Sequence, residues 1–280
     1  YGGLGNQLFQ WAFGISMADR RNCKIKFDIS SFNNDKLREF ALSKIISDIK
    51  IANEDEIKQA KYEQNFFTKV FRKATTILSP IEKRYIVSET SFLFSLEIYN
   101  SVKPLYYDGY WQNENYFAIV RETIINSFKL EDFIDDQWSK RIKSTNATSI
   151  HVRRGDYVTN KTVNESFGTC SIEYYLKAIN AILLKSPNTL FYIFSDDIIW
   201  CKENFASIKN AHFIDNTKSE FEDFYLMQLC NNNIIANSSF SWWAAWLNIN
   251  PKKIVIAPKT WFVNYRFDSR QIVPNNWIKI

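Results

Sequence analysis

From Ala147 to Ala257 short β-branched and aromatic runs alternate with stretches of helical period, and nothing else in the chain constrains its fold as much. Strands are predicted at Ala147–Val152, Thr189–Phe194, Ala211–Ile214, Asn233–Ala236 and Lys253–Ala257. Between them, helices are predicted at Ser171–Ser186, over a short segment ending at Phe205, at Ser219–Cys230 and at Trp242–Leu247. The first of these carries Tyr174, Tyr175, Ala178, Ile182 and Leu183 on one face, and the third aligns Phe221, Phe224, Tyr225 and Leu229. A long loop is expected between Val152 and Ser171. Strands alternating with helices of this length specify a parallel, doubly wound sheet.

In such sheets ligands bind at the carboxyl ends of the strands. Three predicted strands end in polar groups: His151 to Asp156, Ser195 to Asp197, and Asn237 to Ser241. Each has a plain structural reading. Arg153, Arg154 and Asp156 make a surface ion cluster, Ser238-Ser239 an N-cap, and Asp196-Asp197 the acid of a first helical turn. Their coincidence on one edge points instead to a diphosphate clamp, because guanidinium grips phosphate oxygens in pairs. Arg153, with Arg154, would meet the phosphate charge, and Ser238, Ser239 and adjacent backbone N–H groups would meet it from a helix start. A carboxylate at Asp196 or Asp197 accepts two hydrogen bonds from a guanine edge, and His151 is placed for base or ribose.

The first half is less regular. Gly2-Gly3-Leu4-Gly5-Asn6-Gln7 leads into an apolar stretch of helical spacing, either an anion-binding loop or a tight turn before a core helix. The chain starts at Tyr1 beside this loop, so a preceding strand is expected. A strand is expected at Cys23–Ile29, and several helices between residues 30 and 100, with apolar pairs such as Ile45-Ile46 and Phe66-Phe67. Acceptor specificity is expected there, by analogy with other α/β enzymes. Leu105–Gln112 reads as a strand ending at Asp108-Gly109, followed by a helix capped by Asn113 and running through Phe117, Val120 and Ile124. Tyr110, Trp111 and Gln112 either touch a sugar or form a packed aromatic corner. Glu131–Lys143 reads as a helix, and Ser144-Thr145-Asn146 as a linker dividing residues 1–146 from 147–280.

Composition narrows the function classes. At 280 residues, with 46% hydrophobic and 23% charged, the chain can bury a substantial core. Cationic side chains outnumber anionic ones by 21 to 19 up to Asn146 and by 14 to 11 after it, so neither half is a nucleic-acid-binding polycation. Four dispersed cysteines without C-x-x-C favour reduced thiols, and two histidines exclude a His-based metal centre. No D-x-D triplet and no apolar run of membrane-spanning length occurs.

Six stretches in order, G-G-L-G-N-Q-L-F-Q, G-Y-W-Q-N-E-N-Y-F, H-V-R-R-G-D-Y, F-S-D-D-I-I-W, N-S-S-F-S-W-W-A-A-W-L-N and I-A-P-K-T-W-F, closely resemble glycosyltransferase family 11, the alpha-1,2-fucosyltransferases, here of bacterial type. The resemblance implies an α/β, GT-B-like fold: two Rossmann-like domains, an acceptor-side one over 1–146 and a GDP-sugar-binding one over 147–280, with the donor cleft between them. It implies inverting transfer of L-fucose from GDP-fucose to the 2-hydroxyl of a terminal galactose, with no metal and no cofactor. The acceptor would be a galactose-terminated glycan or lipid-linked oligosaccharide of lipopolysaccharide or capsule synthesis. The enzyme would work in the cytoplasm, peripherally at the inner face of the membrane. Arg153 would lie on the donor phosphates, Asp196 with Asp197 on guanine, and Ser238, Ser239 and Phe240 in the serine-rich turn. Gly5 and Asn6 of the glycine loop would also face the donor. Tyr110, Trp111, Gln112 and Glu165 would face the acceptor. Asp156 is the candidate general base, Glu165 the alternative on the same loop; Asp156 also has the simpler role of pinning Arg153. Rival readings are an inactive GDP-sugar or glycan-binding module and a dinucleotide oxidoreductase, the latter disfavoured because the third loop glycine is missing.

Overall fold

Every strand ladder found here is parallel, so the chain must cross back over the sheet between partners. The computed structural model describes residues 1–35, 37–61, 84–102, 106–130, 133, 136–264 and 268–280. The strands are β1 (Ile86–Ser88), β2 (Tyr106–Asp108), β3 (Ala147–Val152), β4 (Leu190–Ser195), β5 (Ala211–Phe213), β6 (Asn232–Ile234), β7 (Val255–Ala257) and β8 (Ile278–Lys279). The α/β class expected from the sequence is the one found. Two compact units are present, Tyr1–Phe128 and Lys129–Ile280.

The second unit is built on a six-stranded sheet in the order β5-β4-β3-β6-β7-β8. All six residues of β3 are buried. Ile150 and Val152 pack on one face with Tyr175, Ala178 and Ile182 of the helix Ile172–Lys185, and with Ile193, Cys201 and Phe205. Each fully buried aliphatic side chain of this kind contributes roughly 1.5–3 kcal/mol. Ser171 caps that helix through its hydroxyl, which accepts from Tyr174 N–H. Tyr174 and Tyr175 then reach the sheet from the helix. The Tyr174 hydroxyl donates to Ile235 O at 2.6 Å, and the Tyr175 hydroxyl to His151 O at 3.2 Å.

The opposite side of the sheet is closed by polar packing. Asn233 Nδ2 donates to Ser149 Oγ and to Met227 O, both at 2.8 Å. Asn248 Nδ2 donates to Asn233 Oδ1 and Cys230 O, also at 2.8 Å. This is how an Asn-Asn-Asn run enters a buried strand: its amides replace partners that water would otherwise supply. The helix Ser239–Leu247 is buried on all sides beyond its first turn. Its Trp242 ring stacks at 6.1 Å on Trp246, meets Trp277 at 5.4 Å, and donates Nε1–H to Ile272 O.

In the first unit, the helix Leu4–Arg21 starts at Gly3 and ends at Asn22, whose left-handed conformation closes it. Phe9 and Phe13 pack against Phe117, Tyr107, Trp111 and Tyr116. Strands β1 and β2 form a two-stranded parallel sheet.

Several sequence expectations change. Cys23–Ile29 is not a strand; Phe27 makes an isolated bridge to Ile51. The loop expected after β3 contains two helices, Gly155–Thr159 and Lys161–Phe167. The helix expected after Asn113 is divided into two 3-10 turns and the helix Arg121–Asn126. Strand β8 had no recognisable signal. The Ser144-Thr145-Asn146 segment falls within the second unit, because the helix Asp136–Lys143 belongs to it; Trp138 Nε1 donates to Asn216 Oδ1 at 2.7 Å. Phe66-Phe67, Leu105 and residues 131–132 lie outside the described residues.

The amide bridge between the β6 strand and the tryptophan helix is testable. Asn248→Ala leaves two buried acceptors without their donor and should cost about 2 kcal/mol or more. The urea midpoint should fall while the slope stays constant.

Candidate functional site

The strand order reverses between β3 and β6, because β4 and β5 lie to one side of β3 and β6 to β8 to the other. Their adjacent carboxyl ends are the crevice where a doubly wound sheet binds its ligand. β3 delivers Arg153 and Arg154 there, β4 delivers Asp196 and Asp197, and β6 leads into Asn237, Ser238 and Ser239.

The two arginines are locked by three carboxylates. Arg153 Nη2 donates to Asp156 Oδ1 at 2.6 Å, and its Nη1 lies 2.9 Å from Asp196 Oδ2. The Arg154 backbone N–H donates to Asp196 Oδ1 at 2.8 Å, and its Nε to Asp197 Oδ2 at 3.0 Å. The Arg154 guanidinium also sits 4.1 Å from the Trp200 ring centre. Gly155 is required by this packing: a Cβ there would stand 2.4 Å from Asp196 Oδ2. Asp197 additionally caps the helix Ile198–Asn204, its Oδ1 accepting from Trp200 N–H. The structure thus brings Arg153, Arg154, Asp156, Asp196 and Asp197 together, with both oxygens of Asp196 and of Asp197 already accepting. Asp156 occupies the pinning role. Glu165 is exposed on the helix Lys161–Phe167.

His151 projects to the other face of the sheet. It is 6% exposed, and its Nδ1 has no hydrogen-bond partner among the described residues. Burial, helped by the Arg153 charge, pushes its pKa down to about 3, so the ring is neutral at physiological pH. Its ring lies 5.6 Å from Phe240, and Phe240 lies 5.3 Å from Phe224. Ser238 occupies the N-cap position of the helix Ser239–Leu247, but no side chain caps that helix among the described residues. Its first-turn N–H groups are available to an anion. Asn237 fixes the turn: its Nδ2 donates to Phe167 O, Gly168 O and Trp261 O, and its carbonyl accepts from the Tyr157 hydroxyl.

Sequence reasoning missed a pair of acids on the same edge. The helix Glu220–Leu229 follows β5, so its first turn lies at the carboxyl ends of the strands. Glu222 is buried and Asp223 half-buried, and Glu222 Oε1 and Asp223 Oδ1 have no partner among the described residues. Burial pushes the Asp223 carboxyl up to about 6; Thr217 opposes this, and Glu222 and Glu220 add to it. The signal available in sequence was S-E-F-E-D beyond a predicted strand, which reads equally as ordinary first-turn acid.

In the first unit the glycine segment is not a loop at Gly5 and Asn6, because both lie in the first turn of the helix Leu4–Arg21. Asn6 Oδ1 accepts from Gln112 Nε2 at 2.7 Å, so those two predicted residues do meet. Trp111 is buried and stacks on Phe13 at 4.2 Å; it belongs to the packed aromatic corner, not to a sugar-facing surface. Tyr110 is half-buried against Tyr1. Among the described residues no cluster of three or more His, Cys, Asp or Glu is placed to hold a metal ion, and no helix is long and apolar enough to cross a membrane.

Comparison with known proteins identifies the family. The model of Glycosyl transferase family 11 matches residues 2–280. An alpha-1,2-colitosyltransferase of Escherichia coli is 36% identical, covering 100% of this chain and 96% of its own. The O-antigen biosynthesis glycosyltransferase WbnK of Escherichia coli is 31% identical, covering 100% and 98%. A galactoside alpha-(1,2)-fucosyltransferase 2 of Rattus norvegicus is 25% identical, covering 88% and 65%. The family match over residues 2–280, with two Escherichia coli relatives above 30% identity over the whole chain, establishes that this chain belongs to glycosyltransferase family 11.

Proposed function

We propose that this enzyme transfers a sugar of the L-fucose type from its GDP-linked form to the 2-hydroxyl of a galactose unit, with inversion and without a metal ion. One observation carries the reading: the caged arginine pair at the end of β3 stands beside the uncapped helix start that follows β6. Cations and amide dipoles are then both in place for a diphosphate. The relatives named above support an alpha-1,2 linkage, with fucose or colitose, which lacks the 3-hydroxyl of fucose, as the transferred sugar. The name of WbnK also favours an O-antigen or related glycan as acceptor. In this reading the second unit binds the donor and the first serves the acceptor.

The chemistry follows from charge. Breaking the bond between the sugar C1 and the diphosphate leaves negative charge on the departing phosphate and positive charge on the ring. Arg153, Arg154 and the N–H groups at Ser239 and Phe240 stabilise the former, because fixed dipoles need no reorganisation at the moment of reaction. Asp156 and Asp196 hold Arg153 in one orientation until phosphate arrives. The acceptor hydroxyl attacks from the opposite side, which gives inversion; its proton passes to water as the new C1–O bond forms and the bond to the diphosphate breaks. Guanine presents adjacent N–H donors, and Asp223, with its unpartnered oxygen, suits them better than Asp196 or Asp197, which the arginines occupy. Neutral His151 and Phe240 supply an apolar wall beside it.

Purified enzyme offered GDP-fucose and GDP-colitose with a panel of galactosides should extend only acceptors with a free galactose 2-hydroxyl, as read by product mass and linkage analysis. A product linked elsewhere, or hydrolysis alone, contradicts the reading. Arg153→Ala should lower kcat/KM by roughly 100-fold or more, the size of one lost transition-state donor, in a protein that still melts cooperatively. Asp223 must be ionised to accept from guanine, and its carboxyl titrates at about 6, so GDP affinity should fall as pH drops through that value. Asp223→Asn should weaken GDP binding by about tenfold or more and flatten this dependence, measured by calorimetry.

A further inference from the structure

The first unit holds a half-buried acid that the reading above does not use. Glu89 follows β1 directly, and its N–H donates to Asp108 O on β2 at 2.7 Å. Its carboxylate turns onto the backbone beyond β2. Oε2 accepts from Tyr110 N–H at 2.7 Å and from Trp111 N–H at 3.1 Å, while Oε1 accepts from Trp111 N–H at 3.1 Å. Gly109 makes room for it, since a Cβ there would lie 2.4 Å from Glu89 Cβ. Trp111 has a φ of 60°, the left-handed conformation that an indole-bearing residue rarely adopts. Such a conformation persists only where its surroundings over-determine it. The surroundings here are Glu89 on the backbone and Phe13 stacked on the ring. The next residue is Gln112, which is 6% exposed and whose amide reaches Asn6 in the first turn of the long helix.

We propose that Glu89 is a positioning residue: by bonding both N–H groups of the Tyr110–Trp111 turn, it sets the backbone that delivers Gln112 to Asn6. The inference rests on the reading that the first unit serves the acceptor, with Asn6 and Gln112 joined at the start of its long helix. Its chain of contacts lies wholly within the first unit. Burial, with Asp108 nearby, pushes the Glu89 carboxyl up to about 7, while the N–H groups of Trp111 and Tyr110 pull it down by favouring the ionised form that accepts from both. A carboxylate kept merely to stabilise a turn would affect melting but leave the kinetics of folded enzyme unchanged. A positioning role makes loss of Glu89 and loss of Asn6 redundant, because both break one line of contacts.

The test is a double-mutant cycle with Glu89→Ala, Asn6→Ala and the pair, reading acceptor KM and kcat with GDP-fucose, or with GDP-colitose if that is the donor used. Each single variant should lose about tenfold or more in kcat/KM, as for one positioning hydrogen bond. The double variant should be no worse than Asn6→Ala alone. Glu89→Gln, which keeps one acceptor oxygen for the two N–H groups, should recover most of the activity. Multiplicative losses, or full activity in folded Glu89→Ala while Asn6→Ala is impaired, overturn the proposal and leave the acceptor reading standing. Full activity in Asn6→Ala removes the reading of Asn6 and this proposal with it. Should Glu89→Ala fail to fold, Gly109→Ala, which crowds Glu89 from the other side, takes its place in the same cycle with the same outcomes.

Discussion

A strand buried along its whole length has room for charge only at its ends, and β3 sets that rule for the second unit. Its interior must be matched on both faces by helices, so the chemistry is displaced to the point where the backbone leaves the sheet. There Arg153 and Arg154 follow one another, and carboxylates placed around them offset the repulsion between two guanidiniums on neighbouring residues. Asp156, Asp196 and Asp197 do so, from the next turn of chain and from the end of the adjacent strand. The parallel register of β3 with β4, Val152 opposite Ser195, is what brings those acids within reach. The clamp is therefore a property of the sheet rather than of a loop.

The first unit solves a different problem with similar means. Its long helix begins without a capping side chain and without acid in the first turn. The groups that shape this end come from elsewhere in the unit: Gln112 on Asn6, and Gln7 folded back onto Gly2 O and Glu39 O. Aromatic packing of Phe13, Trp111 and Tyr116 gives these polar contacts a fixed base.

The fold of the second unit was largely readable because β3, β4 and the helix Ile172–Lys185 bury branched and aromatic residues with unambiguous period. Boundaries moved by a residue or two, as at Leu190 and Asn232. What could not be read depended on contacts distant in sequence. Cys23–Ile29 alternates like a strand, yet the described chain gives Phe27 only an isolated bridge. Gly155 looked like a loop glycine, whereas it starts a helix and makes way for a carboxylate forty-one positions on. Within the site, the arginines and serines were legible as strand-end residues. Glu222 and Asp223 were not, since their message lies in burial and in oxygens left without partners, which no spacing reveals. Glu89 was hidden likewise, because its partners are the backbone of Tyr110 and Trp111.

The arginine cage has a consequence for how a ligand arrives. Two cations and three carboxylates leave one negative charge in excess, so the cluster itself projects little positive field into solution. Diffusing anions are not drawn in from afar, as they are toward an open cationic cleft. Under the proposed function, recognition would begin at contact range, with phosphate oxygens trading places with aspartate oxygens already aligned on the same guanidiniums. Capture would then be an internal exchange of counter-ions with its selectivity in geometry: only an anion that spans both arginines would repay what the aspartates give up.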